Sequence, residues 1–292
     1  MALAVDVGGT KLAAGLVDSG GQVLTRAQIP TPSTNSEALL WDTLVSLIER
    51  VAENDESYDV CGVGCGGPMT GNGASVSPLN IPAWRAFPLL KKLEDVLGVP
   101  VAVDNDAKAL ALGEAWYGAG RTLSNFLAMV VSTGVGGGLV VDGVLLDGND
   151  GNAGHVGHVI VEPDGALCGC GAHGCLEAEV SGPAIERRTG RPPAEAEISE
   201  RIRAGVMVGR AVASVVNLLD LEQVLVGGSV ALGFGDPFFQ AANQEFADRC
   251  RLDFSRDARI SSVQLGEAAP LVGAAAVGFR SVGSAPQGIQ PD

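Results

Sequence analysis

Positive charge is what this sequence has least of: 19 Lys and Arg stand against 34 Asp and Glu, a formal net charge of −15. Nucleic-acid binding is driven by lysines and arginines that release counterions from phosphates, so the charge argues against DNA or RNA as a partner. Long apolar runs are missing as well. None approaches the ~20 residues that a membrane helix needs. The opening apolar stretch, residues 2–7, is too short for a signal-peptide core and lacks a basic flank. These absences predict a soluble cytoplasmic protein with a small ligand, no membrane and no secretion. Cysteine is sparse, but three of the six fall within eight positions as Cys168-x-Cys170-x4-Cys175, while Cys61, Cys65 and Cys250 stand apart. In a reducing cytosol such a cluster reads as a metal site rather than a disulfide framework.

What is present is apolar and rich in turns. Hydrophobic residues make up 46%, and 41 glycines lie scattered among strand-like runs. That is the composition of a globular α/β protein, and 292 residues suffice for two domains with a sizeable core.

Short apolar runs at 2–7, 12–17 and 22–29, separated by tight turns, predict a three-stranded meander. Leu40, Leu44, Leu47, Ile48 and Val51 have the spacing of one helical face, which predicts a helix over 37–52 capped by Asn35 or Ser36. Strands are expected at 58–64 and 99–103 with a helix over 89–97 between them, so parallel pairing is expected too. A second half opens near 116–122, with a strand at 126–132, a glycine turn at 133–138 and a strand at 139–142. The two halves echo each other: Asp6-Val-Gly-Gly-Thr-Lys11 with the strand after it parallels Ser132-Thr-Gly-Val-Gly-Gly-Gly138 with its own. Two similar domains made by duplication are one reading; chance likeness of Gly-rich hairpins is the other. Residues 186–203 are charged, contain Pro192 and Pro193, and read as a solvated helical excursion. The expected domains are 1–118, 119–282 with the last helix packing back on the first, and a flexible tail at 283–292.

Five motifs can carry chemistry. In Asp6-Val7-Gly8-Gly9-Thr10-Lys11, glycines let backbone N–H groups converge on phosphate oxygens, and Asp6 can hold Mg²⁺ through water. A charged hairpin edge is the plainer reading. The turn at 132–138, with Thr133 and Gly134, matches it in the other half. Gly227-Gly228-Ser229 ends a buried strand, where paired glycines let a flat ring lie against the backbone. Asp104-Asn105-Asp106 stands at a strand-to-helix junction, where ligands of open α/β sheets gather. A carboxylate there can take the proton of an attacking hydroxyl; Asp and Asn are also favoured helix N-caps. Finally, His158 with Cys168, Cys170 and Cys175 offers three thiolates and one imidazole, the set of a closed tetrahedral zinc site. His173 is an alternative fourth ligand.

With these motifs the chain resembles the ROK family (repressors, open reading frames and sugar kinases), within the actin-like, hexokinase-like ATPase superfamily. The resemblance spans nearly all of 3–280. It rests on DVGGTK, GVGCGGPM at 62–69, LNIPAW at 79–84, DNDAKALALGEAWYGAG at 104–120, STGVGGG at 132–138, GNAGHVGHV at 151–159, CGCGAHGCLE at 168–177 and VLVGGSV at 224–230. It implies two similar actin-like (ribonuclease-H-like) α/β domains facing a cleft, with an inserted zinc knuckle, and an ATP-dependent carbohydrate kinase acting at a hexose 6-hydroxyl. By the same resemblance Asp106 matches the catalytic base, and Asn105 and Glu177 match sugar ligands. His158 matches a residue that binds zinc through one ring nitrogen and a sugar hydroxyl through the other. Gly67 and Asn80 fall in segments lining the sugar pocket. Gly8, Gly9, Thr10, Lys11, Thr133 and Gly134 match the phosphate turns, and Gly228 the adenosine side. The expected cofactors are ATP, Mg²⁺ and a structural Zn²⁺, in a homodimer or higher homo-oligomer.

The chain departs from the family pattern in two places. His155 stands where family kinases commonly carry a sugar-binding Glu. A carboxylate only accepts hydrogen bonds, whereas a neutral imidazole donates one and accepts one, so an acetamido carbonyl becomes a fitting substrate group. Gly66 stands where proline is usual, a change expected to alter loop stiffness slightly. The family also contains sugar-sensing repressors with an N-terminal helix-turn-helix. With the first strand starting at Ala2 and the charge strongly negative, that reading is poor, and an intact Asp106 speaks against a catalytically silent sugar-binding protein.

Overall fold

The computed structural model describes residues 1–52 and 57–284. In chain order its elements are β1 (Ala2–Val7), β2 (Lys11–Val17), β3 (Val23–Pro30), α1 (Glu37–Ala52), β4 (Val60–Cys65), β5 (Met69–Thr70), β6 (Ser75–Val76), α2 (Leu89–Leu97), β7 (Val101–Asn105) and α3 (Asp106–Tyr117). There follow β8 (Phe126–Val131), β9 (Val135–Val141), β10 (Val144–Leu145), α4 (Leu176–Val180), α5 (Gly182–Thr189), α6 (Ile198–Leu219), β11 (Gln223–Gly227), α7 (Ser229–Phe234), α8 (Asp236–Arg249), β12 (Arg259–Ser262) and α9 (Ala269–Ser281). The chain divides into two compact units. One holds Met1–Arg121, Val144–Ala153 and the chain from Gln264 on; the other holds Thr122–Gly143 and Gly154–Val263. Of the tail expected at 283–292, residues 285–292 lie outside the described residues.

The first unit is built on a mixed sheet ordered β3-β2-β1-β4-β7. β1, β2 and β3 form the expected antiparallel meander, and β4 and β7 continue it in parallel. β1 and β4 are buried along their whole length, as strands covered on both faces must be. β3 alternates between half-buried and exposed residues, the habit of an edge strand. α1 buries the five residues its periodicity marks, Leu40, Leu44, Leu47, Ile48 and Val51. Its cap is Ser36, whose hydroxyl accepts the Leu39 N–H at 3.2 Å. α9 packs on β1, β4 and α3, and its small side chains Ala274, Ala275 and Ala276 are fully buried.

The second unit repeats the plan, with β9-β8-β11-β12 in order. β8 and β9 are antiparallel, while β8, β11 and β12 are parallel. The same order of hairpin and parallel strands in both sheets is what two similar units require. The stretch 186–203 is helical and mostly exposed, as expected: it is the end of α5, a short turn and the start of α6, which runs on to Leu219 and packs on α8. By length and composition α6 could cross a membrane, contrary to the expectation that no stretch is long enough, yet 56% of its apolar window is buried inside the fold.

Candidate active site

Parallel pairing sets the first half of the site. The register aligns Asp6, Gly64 and Asp104 in one row across β1, β4 and β7, and Val7, Cys65 and Asn105 in the next. Residues far apart in sequence therefore meet at the carboxyl ends of three adjacent strands, where open α/β sheets bind ligands. Asp106 follows at once as the first residue of α3. Asn105 is its N-cap, accepting the Ala107 N–H at 3.0 Å, and the Asp106 carboxylate accepts the same N–H at 2.9 Å.

The glycine turn closes on this row. Gly8 donates to the Lys11 carbonyl at 3.0 Å, Thr31 donates its hydroxyl to the Gly8 carbonyl at 2.6 Å, and the Thr31 N–H reaches the Thr10 carbonyl at 3.0 Å. Gly9 must be glycine because a Cβ there would stand 2.6 Å from the Cβ of Asn80. Asn80 is thus held against the turn. Gly67 joins it, since its carbonyl accepts the Leu79 N–H at 3.3 Å.

Asp6 is nearly inaccessible, at 8% exposure. Burial first, and then the negative charge of Asp106, lift its carboxyl to about 7, with Lys11 pulling the other way. Two crowded carboxylates beside a turn of N–H donors form a place where a cation would relieve charge. The sign of the linkage is fixed: an acid whose folded-state value is raised binds its proton more tightly when folded. Its contribution to stability is therefore fully present below the ordinary Asp range and declines as pH rises towards 7. In metal-free, nucleotide-free protein, Asp6→Asn should raise Tm more at pH 8 than at pH 5. Calorimetry at the two pH values checks this, and a variant no more stabilised at pH 8 than at pH 5 would refute the burial cost.

The second unit gathers the other expected residues. The His155 and His158 rings lie 5.9 Å apart. Burial, followed by the His158 charge, holds the His155 imidazole below its ordinary value, although Glu177 opposes this, which favours the neutral ring. Glu177 accepts the Val135 N–H at 2.8 Å, which ties it to the second glycine turn. In that turn, which contains Thr133, Ser132 donates to the Gly134 carbonyl at 2.9 Å. The Ser132 hydroxyl lies 2.9 Å from that of Ser229, beside Gly228 at the head of α7. Gly228 has φ 96° and a Cβ there would stand 2.4 Å from the Val131 carbonyl, so no side chain fits.

His158, Cys168, Cys170 and Cys175 place one ligand atom each within 4.8 Å of one another. The His158 Nδ1 to Cys168 Sγ and Cys170 Sγ to Cys175 Sγ separations are both 3.7 Å. The edges of a zinc tetrahedron with three sulfurs and one nitrogen are about 3.5–3.8 Å, so the donor set fits that ion. His173 instead faces the Gly165 carbonyl at 3.1 Å, outside the cluster.

One neighbour of the site escaped the sequence reading. Cys65 is fully buried, and burial first, then the charges of Asp106 and Asp6, push its thiol well above the ordinary range. Only the strand register, invisible in a linear motif, places it there.

Each unit, with its mixed sheet and its glycine turn at the strand ends, has the build of a nucleotide-dependent phosphotransferase. Residues 2–279 match the ROK family. A glucokinase of Thermotoga maritima is 31% identical over 94% of this chain and 96% of its own length. An N-acetylmannosamine kinase of Citrobacter koseri is 36% identical over 80% and 84%. Among solved structures, a ROK family glucokinase of Streptomyces griseus, in complex with glucose and AMPPNP, superposes with a TM-score of 0.85 at 30% identity, covering 96% of this chain and 99% of its own. The chain belongs to the ROK family.

Proposed function

We propose that this chain, a carbohydrate kinase, transfers the γ-phosphoryl group of ATP to the 6-hydroxyl of a hexose or N-acylhexosamine, with Asp106 as general base. The observation that carries the reading is the convergence of Asp6, the Gly8–Lys11 turn, Asn80 and the Asn105–Asp106 junction at the ends of β1, β4 and β7. The names of the relatives and the AMPPNP-bound neighbour support the donor and the substrate class.

In this mechanism Asn80, Asn105, His155, His158 and Glu177 orient the sugar, and the Gly67 segment lines it. The Asp106 carboxylate takes the hydroxyl proton as the sugar oxygen forms its bond to the γ-phosphorus. The bond from the γ-phosphorus to the bridging oxygen breaks, and ADP leaves. Gly8 closes the turn through its bond to Lys11; backbone N–H groups of Gly9, Thr10 and Gly134, with the Lys11 ammonium and the Thr10 and Thr133 hydroxyls, receive the charge that develops on the phosphates. Asp6 would hold Mg²⁺ through water, and that ion, when bound, neutralises phosphate charge. Gly228 leaves room for the adenine ring. The four-ligand knuckle would hold Zn²⁺ as a structural ion. With one His158 nitrogen committed to the metal, the ring is fixed in tautomer and orientation for a sugar hydroxyl.

The neutral His155 decides among substrates. Its N–H can donate to an acetamido carbonyl, which a carboxylate at that place would repel. A coupled ADP-release screen over glucose, mannose, their N-acetylated amines, allose and fructose tests the reading. Wild type should favour an N-acylhexosamine, and His155→Glu should shift kcat/KM towards glucose by about tenfold, the worth of one well-placed polar contact. Unchanged relative turnover of glucose in the variant would remove the basis for the acetamido assignment. No ATP-dependent turnover of any sugar would remove the kinase reading itself.

A further inference from the structure

Lys108 lies on α3 two residues after Asp106, and its side chain is 1% exposed. A lysine so placed keeps its charge only when every N–H has a partner. Here the ammonium has three acceptors for its three donors: Asp104 at 2.9 Å, Asp147 at 2.6 Å and the Gly151 carbonyl at 3.3 Å.

Each partner leads to a segment of the proposed sugar site. Asp104 also accepts the backbone N–H of Asn105 at 2.7 Å, so it fixes the residue that caps α3 and precedes the base. Asp147 and Gly151 belong to the 147–153 segment, whose ends are joined by the Ala153 N–H to the Asp147 carbonyl at 3.0 Å. In that segment Asn152 pairs both ways with the Met69 backbone, at 3.0 and 2.9 Å, two residues beyond Gly67. A further two residues along the chain from Ala153 comes His155.

Packing does not hold these pieces on every side. A cavity of about 280 Å³ is bordered by Asn72, Val103, Asp104, Lys108, Asp147 and Arg280. Where hydrocarbon contacts are missing, the ion pairs set the geometry. Burial opposes the charge on Asp147, yet its bonds to Lys108 and Arg280 hold the carboxyl below the ordinary range.

We propose that Lys108 is a positioning residue for phosphoryl transfer. Its ammonium, shared between Asp104 and Asp147, sets the Asn105–Asp106 junction and the 147–153 segment in one fixed relation, and so sets sugar affinity. The inference rests on the sugar-kinase reading of that junction. Groups that line a site through such a network lose function when displaced by a fraction of an ångström.

The test is steady-state kinetics of the full chain with the sugar that wild type accepts. Asp147→Asn cuts the charged link to the segment but leaves Lys108 on Asp104. It should raise the sugar KM about tenfold while kcat falls less than about threefold and the ATP KM stays put. Lys108→Met cuts both links and should lower kcat as well. If that variant does not fold, Asp147→Asn alone decides. Arg280→Met removes the other cation from Asp147 without touching Lys108. It should keep the wild-type sugar KM, which separates positioning from a general loss of stability. A wild-type sugar KM in Asp147→Asn, or an equal rise in Arg280→Met, overturns the proposal. A wild type that turns over no sugar counts against the kinase reading instead.

Discussion

Asp106→Asn should lower kcat by about 10²-fold or more and leave sugar affinity nearly intact. The substitution keeps the shape of the side chain and an oxygen for the Ala107 N–H, which the Asn105 cap also satisfies. The fold at the head of α3 therefore has no reason to change. What disappears is the one group at the junction assigned to take the hydroxyl proton. A hundredfold loss corresponds to about 2.7 kcal/mol of barrier, well within what one displaced general base accounts for. The effect should fall on kcat alone, because the hydroxyl binds equally well whether or not its proton has somewhere to go. Coupled ADP-release kinetics with calorimetric sugar titration separates the two quantities. Turnover near the wild-type rate would show that the base is some other group.

Local signals were strong in the first 120 residues. The meander, α1 with its five buried positions and both ends of α2 follow from apolar spacing and turn residues, because each depends on neighbours a few positions away. α3 is different. Every residue from Ala107 to Trp116 is buried, so the helix has no polar face and periodicity cannot say what its charged members touch. Lys108 and Glu114 are such members, buried at 1% and 0% exposure. Their partners, Asp147 for one and the Gln264 and Leu265 backbone for the other, lie 39 and about 150 positions away.

The candidate site divides in the same manner. The glycine turns and the cysteine cluster were legible because their chemistry is written in consecutive residues. The neighbourhood of Asp6, Cys65 and Asp106 needed the register of three parallel strands, which no short motif contains. Spacing alone could not choose between His158 and His173 as fourth ligand. The choice falls to the bridge pairing Ile160 with Cys175, which carries the chain after His158 back to the knuckle.

Replacing one knuckle cysteine should weaken sugar binding without touching any atom that meets the sugar. Cys170 is the residue to change, because it alone of the three is exposed, whereas Cys168 and Cys175 are packed with Ala178. Cys170→Ser removes a thiolate and leaves the local packing as it was. A structural zinc site with three good ligands loses most of its affinity. Without the metal, His158 is free to turn, and its other nitrogen no longer points at one hydroxyl. Loss of a group that orients a ligand in this way typically costs 10- to 100-fold, so the sugar KM should rise about 10-fold or more while the ATP KM holds. Metal content by elemental analysis, read beside the two KM values, makes the coupling visible. The neutral His155, 5.9 Å from His158, offers a second reading of the same event. Once the metal no longer holds the neighbouring ring, preference between N-acylated and plain sugars should narrow along with affinity. Metal lost with sugar affinity and preference both unchanged would break the link between knuckle and pocket, and would leave the zinc as a fold element with no part in recognition.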